Sequence, residues 1–187
     1  MTKRAVDVFI CLAALFGLAI PMLVVAAAVK LTSRGPALYW SQRVGRDNRV
    51  FRMPKFRSMR VDTPVLATHL LESPAQWLTP IGSFLRKSSL DELPQLWSIL
   101  AGDMSIVGPR PALYNQHDLI AMRTARGVHQ LRPGLTGWAQ VNGRDEVPLA
   151  DKVDYDAWYL EHRSFALDLK IMALTFLKVV RKQGVAH

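Results

Sequence analysis

The longest unbroken pattern in the chain is apolar: from Val8 to Val29, VFICLAALFGLAIPMLVVAAAV, no residue carries a charge. As a helix rising about 1.5 Å per residue, such a run is long enough for a hydrocarbon core of roughly 30 Å. Three placements accommodate it. A secretory signal suits Lys3, Arg4 and the small residues Ala26 and Ala28, but the stretch is longer than an ordinary signal core. A spanning helix fits the length. A re-entrant helix fits two further details. Pro21, near the middle, withholds a backbone donor from the carbonyl of Gly17 and favours a kink. Lys3 and Arg4 precede the run while Lys30 and Arg34 follow it, so both ends favour the cytoplasmic side. The pattern predicts a membrane-inserted helix over residues 1–34, re-entrant in preference to spanning, and a cytoplasmic-face domain over 35–187.

Beyond the turn sequence SRGP (33–36), ALYWSQRVGRDNRVFRMPKFRSMRV alternates loosely around Asp47 and Asn48. It predicts two short strands joined by a turn. Residues 62–80 contain Pro64, Pro74 and Pro80 and predict a loop. A short helix is expected from about Pro94 to Leu100, stopping near Gly102, and another over NQHDLIAMRTAR. RPGLTGWAQVNGR (132–144) is turn-rich around a short strand placed at Gly137–Val141. Two helical patterns follow, over 150–162 and 165–182. In the second, Phe165, Leu169, Met172, Phe176 and Val179 fall at helical spacing, with Lys170, Lys178, Arg181 and Lys182 between and after them. Such a stripe either packs on the core, the commoner outcome, or lies in a membrane interface. The sum is an α/β fold, mostly helical with few short strands, and no internal repeat.

Charge narrows the partners. Lys and Arg total 24 against 15 Asp and Glu, a formal net charge of +9. Nucleic acid, acidic lipid and phosphorylated substrates all fit that balance. The single cysteine, Cys11, lies inside the apolar run, which excludes a disulfide framework and a cysteine metal site. The five histidines are scattered, and no phosphate-binding Gly-x-x-x-x-Gly-Lys loop or dinucleotide fingerprint is present. Any metal is then expected to be a hard cation such as Mg²⁺, held by carboxylate and phosphate oxygens.

The chemistry concentrates in RKSSLDELPQLWSILAGDMSIVGPRP (86–111), where Asp91 and Glu92 are adjacent. Ser89 and Glu92 match a helix capping box, the structural explanation of half the pair. Pro94 opposes it, because with Ser89 as cap the proline would fall beyond the first turn. A helix beginning at or just after Asp91 sets both acids at its positive end, where an ionised carboxylate is stabilised. Side-by-side acids cannot flank a glycosidic bond as a hydrolase pair. They suit a nucleophile next to a group that binds metal or handles a proton. Cations surround them: Arg86 and Lys87 before, Arg110 between two prolines after, and Arg43, Arg46, Arg49, Arg52, Lys55, Arg57 and Arg60 in the strand region. Arginine can grip phosphate with two parallel hydrogen bonds. The alternative for the strand cations is a solvated face or a patch on acidic lipid.

KFRSM (55–59), SLDELPQLW (89–97), GDMSIVGPRP (102–111) and RPGLTGWAQVNGR (132–144) resemble the bacterial sugar transferases, the monotopic phosphoglycosyl transferases. The resemblance runs in order from the amino-terminal segment to the final helix. It implies transfer of a sugar 1-phosphate from a UDP-sugar to a polyprenyl phosphate, usually undecaprenyl phosphate, with release of UMP. It implies Asp91 as the nucleophile of a covalent phosphosugar intermediate, Glu92 as its partner, and Mg²⁺ at these two carboxylates. It implies a bilayer partner and a place on the cytoplasmic face of the bacterial inner membrane. Lys55, Arg57, Arg86 and Arg110 become the candidate cations facing substrate, and Gln140, Asn142 and Arg144 the candidates for nucleotide or sugar contact. Two departures stand out. Ile20 precedes the membrane proline where better-known small members have serine, and DEVPLADK follows NGR where the family often has asparagine and then Ser-Trp.

Two other classes compete. A membrane-anchored nucleic-acid-binding protein would explain the basic run but not the acidic pair or GPRP. An inactive scaffold for glycan assembly is at odds with the intact Asp91–Glu92 pair. No nucleic-acid partner is therefore expected. The sugar and the oligomeric state, a homo-oligomer included, are left open by the sequence.

Overall fold

The apolar run becomes one helix, α1 (Thr2–Thr32), continuous through Pro21 in the computed structural model, which describes residues 2–66, 71, 73–143 and 147–180. Asp7, Cys11, Val25 and Val29 mark a stripe of α1 that is buried, while Phe9, Phe16, Ile20, Leu23 and Leu31 on the other sides are exposed. An apolar helix with one packed stripe and a bare apolar remainder is suited to lipid on its open side.

Strands β1 (Leu38–Val44) and β2 (Val50–Phe56) form the expected antiparallel hairpin, with Leu38 opposite Phe56 and Val44 opposite Val50. Asp47 and Asn48 take positive φ, at 55° and 59°, in a short 3-10 turn over Arg46–Asn48. These are the residue types that tolerate the left-handed region best after glycine. A short helix absent from the sequence expectation, α2 (Gly82–Lys87), follows the proline-rich loop. A Cβ on Gly82 would sit 2.0 Å from the Ser58 carbonyl oxygen, so only glycine lets α2 start against the strand exit.

The acidic segment is a 3-10 helix, Leu90–Gln95, running into α3 (Leu96–Ala101), which stops at Gly102 with φ 93°. The capping box is not formed: Ser89 itself adopts φ 57° and no side-chain cap bond is made. The tighter coil, begun before Asp91, accommodates Pro94 near its end, and the α-helix proper starts four residues after Glu92.

Strand β3 (Ser105–Val107) pairs in parallel with β4 (Gly134–Thr136). The strand expected at Gly137–Val141 is a correction: α5 (Trp138–Asn142) is helical there, and the strand lies three residues earlier. Glycine spacing is the reason. Added Cβ atoms on Gly134 and Gly137 would lie 2.1 Å from the Gly108 nitrogen and carbonyl oxygen respectively, so this close crossing fixes the pairing register at 134–136. Helices α4 (His117–Ala125), α6 (Leu149–His162) and α7 (Phe165–Val180) match the sequence expectation closely, while Arg181 and Lys182 of the expected last helix lie outside the described residues.

Two hydrophobic clusters run along α1. One gathers Cys11, Met53, Ile99, Met104, Tyr159 and Ile171; the other gathers Val25, Val29, Phe56 and Leu85. Helix α7 enters the first cluster through Ile171, beside buried Asp168, whereas Phe165, Leu169, Phe176 and Val179 of the anticipated stripe are exposed. The helix is apolar on two sides, and Met172 of the anticipated stripe packs with Leu167 and Leu174 on the side that faces the core.

Candidate active site

The 3-10 helix carrying the acids packs against β2, α2, α3 and α1. Asp91 is buried at 8% exposure, and Glu92 has a side chain 19% exposed. Lys55, near the end of β2, donates Nζ to Glu92 Oε1 at 3.0 Å. Arg110, from GPRP, donates Nη2 to the same oxygen at 3.0 Å. Three motifs far apart in sequence thus meet at one carboxylate.

The electrostatics separate the two acids. Burial pushes the Glu92 carboxyl up, but the charges of Lys55 and Arg110 and their hydrogen bonds outweigh it and hold Glu92 well below the usual carboxylate range. For Asp91, burial is the largest influence and raises it, with ionised Glu92 adding to the rise; Lys55, Arg86 and Arg110 pull the other way without cancelling it. Burial likewise lowers Lys55, beyond what Glu92 restores. Arg43 is pulled down to about 10, by burial first and by Arg110 second. The result is one firmly ionised acid locked between cations and one poorly solvated acid beside it. A desolvated carboxylate surrounded by positive charge can attack an electrophilic phosphorus without first shedding a full water shell.

The other anticipated residues divide. Arg86 lies close enough for its charge to act on Asp91, and its Nη1 contacts Met59 Sδ at 3.6 Å. Arg57 is drawn elsewhere, its guanidinium donating to the carbonyls of Pro36 (2.7 Å) and Ser33 (3.1 Å) and to Ser33 Oγ (2.8 Å) at the exit of α1. Gln140 donates to the Leu135 carbonyl while its Oε1 is buried without a partner, and Asn142 donates to the Trp138 carbonyl. None of these bonds reaches the acidic pair. Arg144 lies outside the described residues.

The basic strand region does not form a single cationic face. Lys55 turns to Glu92, Arg57 to the loop leaving α1, Arg60 to Asp62, and Arg43 to Ser41 Oγ and the Pro111 carbonyl. Arg123 and Asp156 are structural members of the site surroundings that sequence reasoning missed. Arg43 was visible only as one of the run. Asp156 left a fainter sign: it shares the buried face of α6 with Val153 and Ala157, an acid among apolar positions.

Asp91 and Glu92 offer hard oxygen donors that fit Mg²⁺, and both cation contacts of Glu92 fall on Oε1 rather than Oε2. Among the described residues no group of three or more His, Cys, Asp or Glu gathers as a metal site. Substrate oxygens or water would therefore have to complete the shell.

A family description, bacterial sugar transferase, matches residues 1–182. The uncharacterized sugar transferase EpsL of Bacillus subtilis is 39% identical over 183 residues, covering 98% of this chain and 89% of that protein. The UDP-glucose:undecaprenyl-phosphate glucose-1-phosphate transferase of Xanthomonas campestris is 41% identical over 189 residues, covering 96% of this chain but 39% of that longer protein. The exopolysaccharide production protein ExoY of Sinorhizobium fredii is 37% identical over 199 residues, covering 98% of this chain and 88% of that protein. The chain thus spans most of the shorter relatives and about two fifths of the longer one.

Proposed function

The chain belongs to the bacterial sugar transferase family, and from that premise we propose that it moves a sugar 1-phosphate from a UDP-sugar to a polyprenyl phosphate, undecaprenyl phosphate being the acceptor named for its relatives. The observation that carries the mechanism is the buried Asp91 beside a Glu92 held at 3.0 Å by both Lys55 and Arg110. An Asp91 carboxylate oxygen attacks the sugar-bearing phosphorus of the donor. The bond from that phosphorus to the bridging oxygen breaks, UMP departs with the electron pair, and an aspartyl phosphosugar is left. The phosphate oxygen of the lipid then attacks the same phosphorus and releases Asp91, giving the polyprenyl diphosphate sugar.

Lys55, Arg86 and Arg110 offset the repulsion between the anionic substrates and the carboxylates. Mg²⁺, where bound by Asp91 and Glu92, would supply further charge neutralisation at the diphosphate. The reading also places α1 in one leaflet, entering and leaving on the cytoplasmic face of the inner membrane. Both ends of α1 are tied to the same domain: Arg4 donates to the carbonyls of Ile99 and Leu100, and Val25 and Val29 pack with Phe56 and Leu85. A helix crossing upright would carry one end about 30 Å away from that domain. The exposed Phe165, Leu169 and Phe176, with Lys170 and Lys178 on the same helix, support α7 as an interfacial helix.

The test is UMP release by nanodisc-held protein with a panel of UDP-sugars, undecaprenyl phosphate and Mg²⁺, with Asp91→Asn in parallel. One donor should release UMP, and the variant should not. Donor without acceptor should add the mass of the sugar phosphate to the wild-type chain alone. Equal UMP release from Asp91→Asn would remove Asp91 as nucleophile.

A further inference from the structure

GPRP is gripped from behind by a charged pair to which the reaction assigns no task. Arg123 on α4 donates Nε and Nη2 to Asp156 Oδ2 on α6, at 3.0 and 2.6 Å. Its remaining nitrogen, Nη1, donates to the carbonyl of Arg110 at 2.8 Å. Asp156 is 1% exposed and the Arg123 side chain 12%, so the group is almost dry. Joining α4 to α6 does not call for charges, since apolar side chains of similar volume would do it without the desolvation cost. A planar guanidinium provides something else: one edge for a carboxylate and another for a backbone carbonyl.

That carbonyl belongs to the residue whose side chain reaches Glu92. Arg110 is long and 43% exposed, so its aim is only as fixed as its backbone. The near side of the same loop is already constrained, because Gly108 donates to the Thr136 carbonyl and Gly134 to the Pro109 carbonyl, both at 2.9 Å. The Arg123 bond constrains the far side.

We propose that Asp156 and Arg123 are positioning residues that hold the Arg110 backbone so that its guanidinium stays on Glu92 beside Asp91. The proposal rests on the reading of Asp91 as nucleophile, but part of its test does not. Arg123→Lys keeps a positive charge opposite Asp156 and loses the fork that makes three bonds at once. In the absence of any donor, modification of Arg110 by phenylglyoxal, followed by mass spectrometry, should run several-fold faster in Arg123→Lys than in wild type. An unchanged rate overturns the clamp, whether or not the protein proves active.

In the turnover assay, Arg123→Lys should lower kcat/KM about tenfold, as is common when a group supporting a site residue is lost. In an Arg110→Ala background the same change should cost almost nothing further, because the residue it acts through is gone. Equal losses in both backgrounds would mean a general packing role and overturn the proposal. Should Arg123→Lys fail to fold, Asp156→Asn keeps the shape and one acceptor and is read by the same two criteria. Absence of UMP release from wild type would count against the proposed function alone, leaving the modification rate to decide the clamp.

Discussion

Arg57 is where sequence and structure give different roles to one residue, and replacing it with methionine separates them. It is 4% exposed, and its guanidinium makes three hydrogen bonds to the loop leaving α1, while its backbone nitrogen donates to the Ala37 carbonyl at 2.9 Å. Methionine preserves much of the stem and removes every side-chain donor. Each hydrogen bond to a charged group contributes about 1.5–3 kcal/mol, and part of that is returned when the buried charge is removed. A net loss of about 3 kcal/mol is the reasonable sum for three bonds sharing one desolvated ion. For a chain of this size each kcal/mol moves the midpoint by about 2–4 °C, so Tm should fall by about 6–12 °C. The assay is thermal unfolding followed by tryptophan fluorescence, paired with UMP release per folded molecule well below the transition. Turnover of the folded fraction should stay within about threefold of wild type, the effect being on stability. An unchanged Tm with collapsed turnover would refute this reasoning and return Arg57 to the substrate.

Asp91→Asn should abolish transfer yet raise Tm at neutral pH, because burial holds the folded Asp91 carboxyl above its ordinary value. As pH rises past the unfolded value of about 3.9, the unfolded chain ionises first and wild type loses stability until the folded value is passed. The advantage of the variant should therefore shrink as pH is lowered through the carboxylate range, which a Tm–pH series would read. Glu92 behaves oppositely: its contribution is present above the unfolded value and disappears as pH falls toward the lower folded one, so Glu92→Gln should lower Tm at neutral pH. Gly134→Ala should leave little folded protein, since the new Cβ would meet the Gly108 nitrogen at 2.1 Å and the Thr136 carbonyl oxygen at 2.3 Å, both backbone atoms; recovery and Tm after purification report it. In a Cys11→Ala background, Ala5→Cys and Arg34→Cys should both resist an impermeant maleimide applied outside intact cells and react after lysis. Labelling of Ala5→Cys from outside would show a crossing helix.

Legibility followed the range of the interactions involved. The apolar run, the hairpin turn at Asp47 and Asn48, and α4, α6 and α7 were readable because each is set by residues a few positions apart. The strand near residue 137 was misplaced because its register is decided by Gly108, which lies beside Gly134 and Gly137 only in three dimensions. The stripe on α7 was readable as apolar, with core and interface placements both open, since which of its two apolar sides meets the core depends on where Tyr159 and Met104 lie. At the site, composition gave the excess of cations but not their division: Lys55 and Arg57 are two residues apart, and the end of β2 sends one to Glu92 and the other to the loop leaving α1. Asp156 and Arg123 gave no motif at all, because a buried ion pair between two helices has no fixed spacing.

That division at the end of β2 ties anchor and site together. Lys55 fixes Glu92, and Arg57, immediately beyond the strand, fixes Ser33 and Pro36 in the loop leaving α1. At the other end of the same helix, Cys11 donates to the carbonyl of Leu96, the first residue of the α-helix that continues the acidic segment, and Arg4 donates to the carbonyls at that helix's close. The Asp91 segment is thus bounded on both sides by contacts that lead back to α1. Such an arrangement makes the height of Asp91 above the apolar face of α1 a property of the fold rather than of a flexible linker. In the proposed reaction, whose acceptor is a phosphate fixed to a lipid, that height would decide whether the phosphate reaches Asp91 without leaving the interface, and short rigid contacts set it more sharply than a tether could.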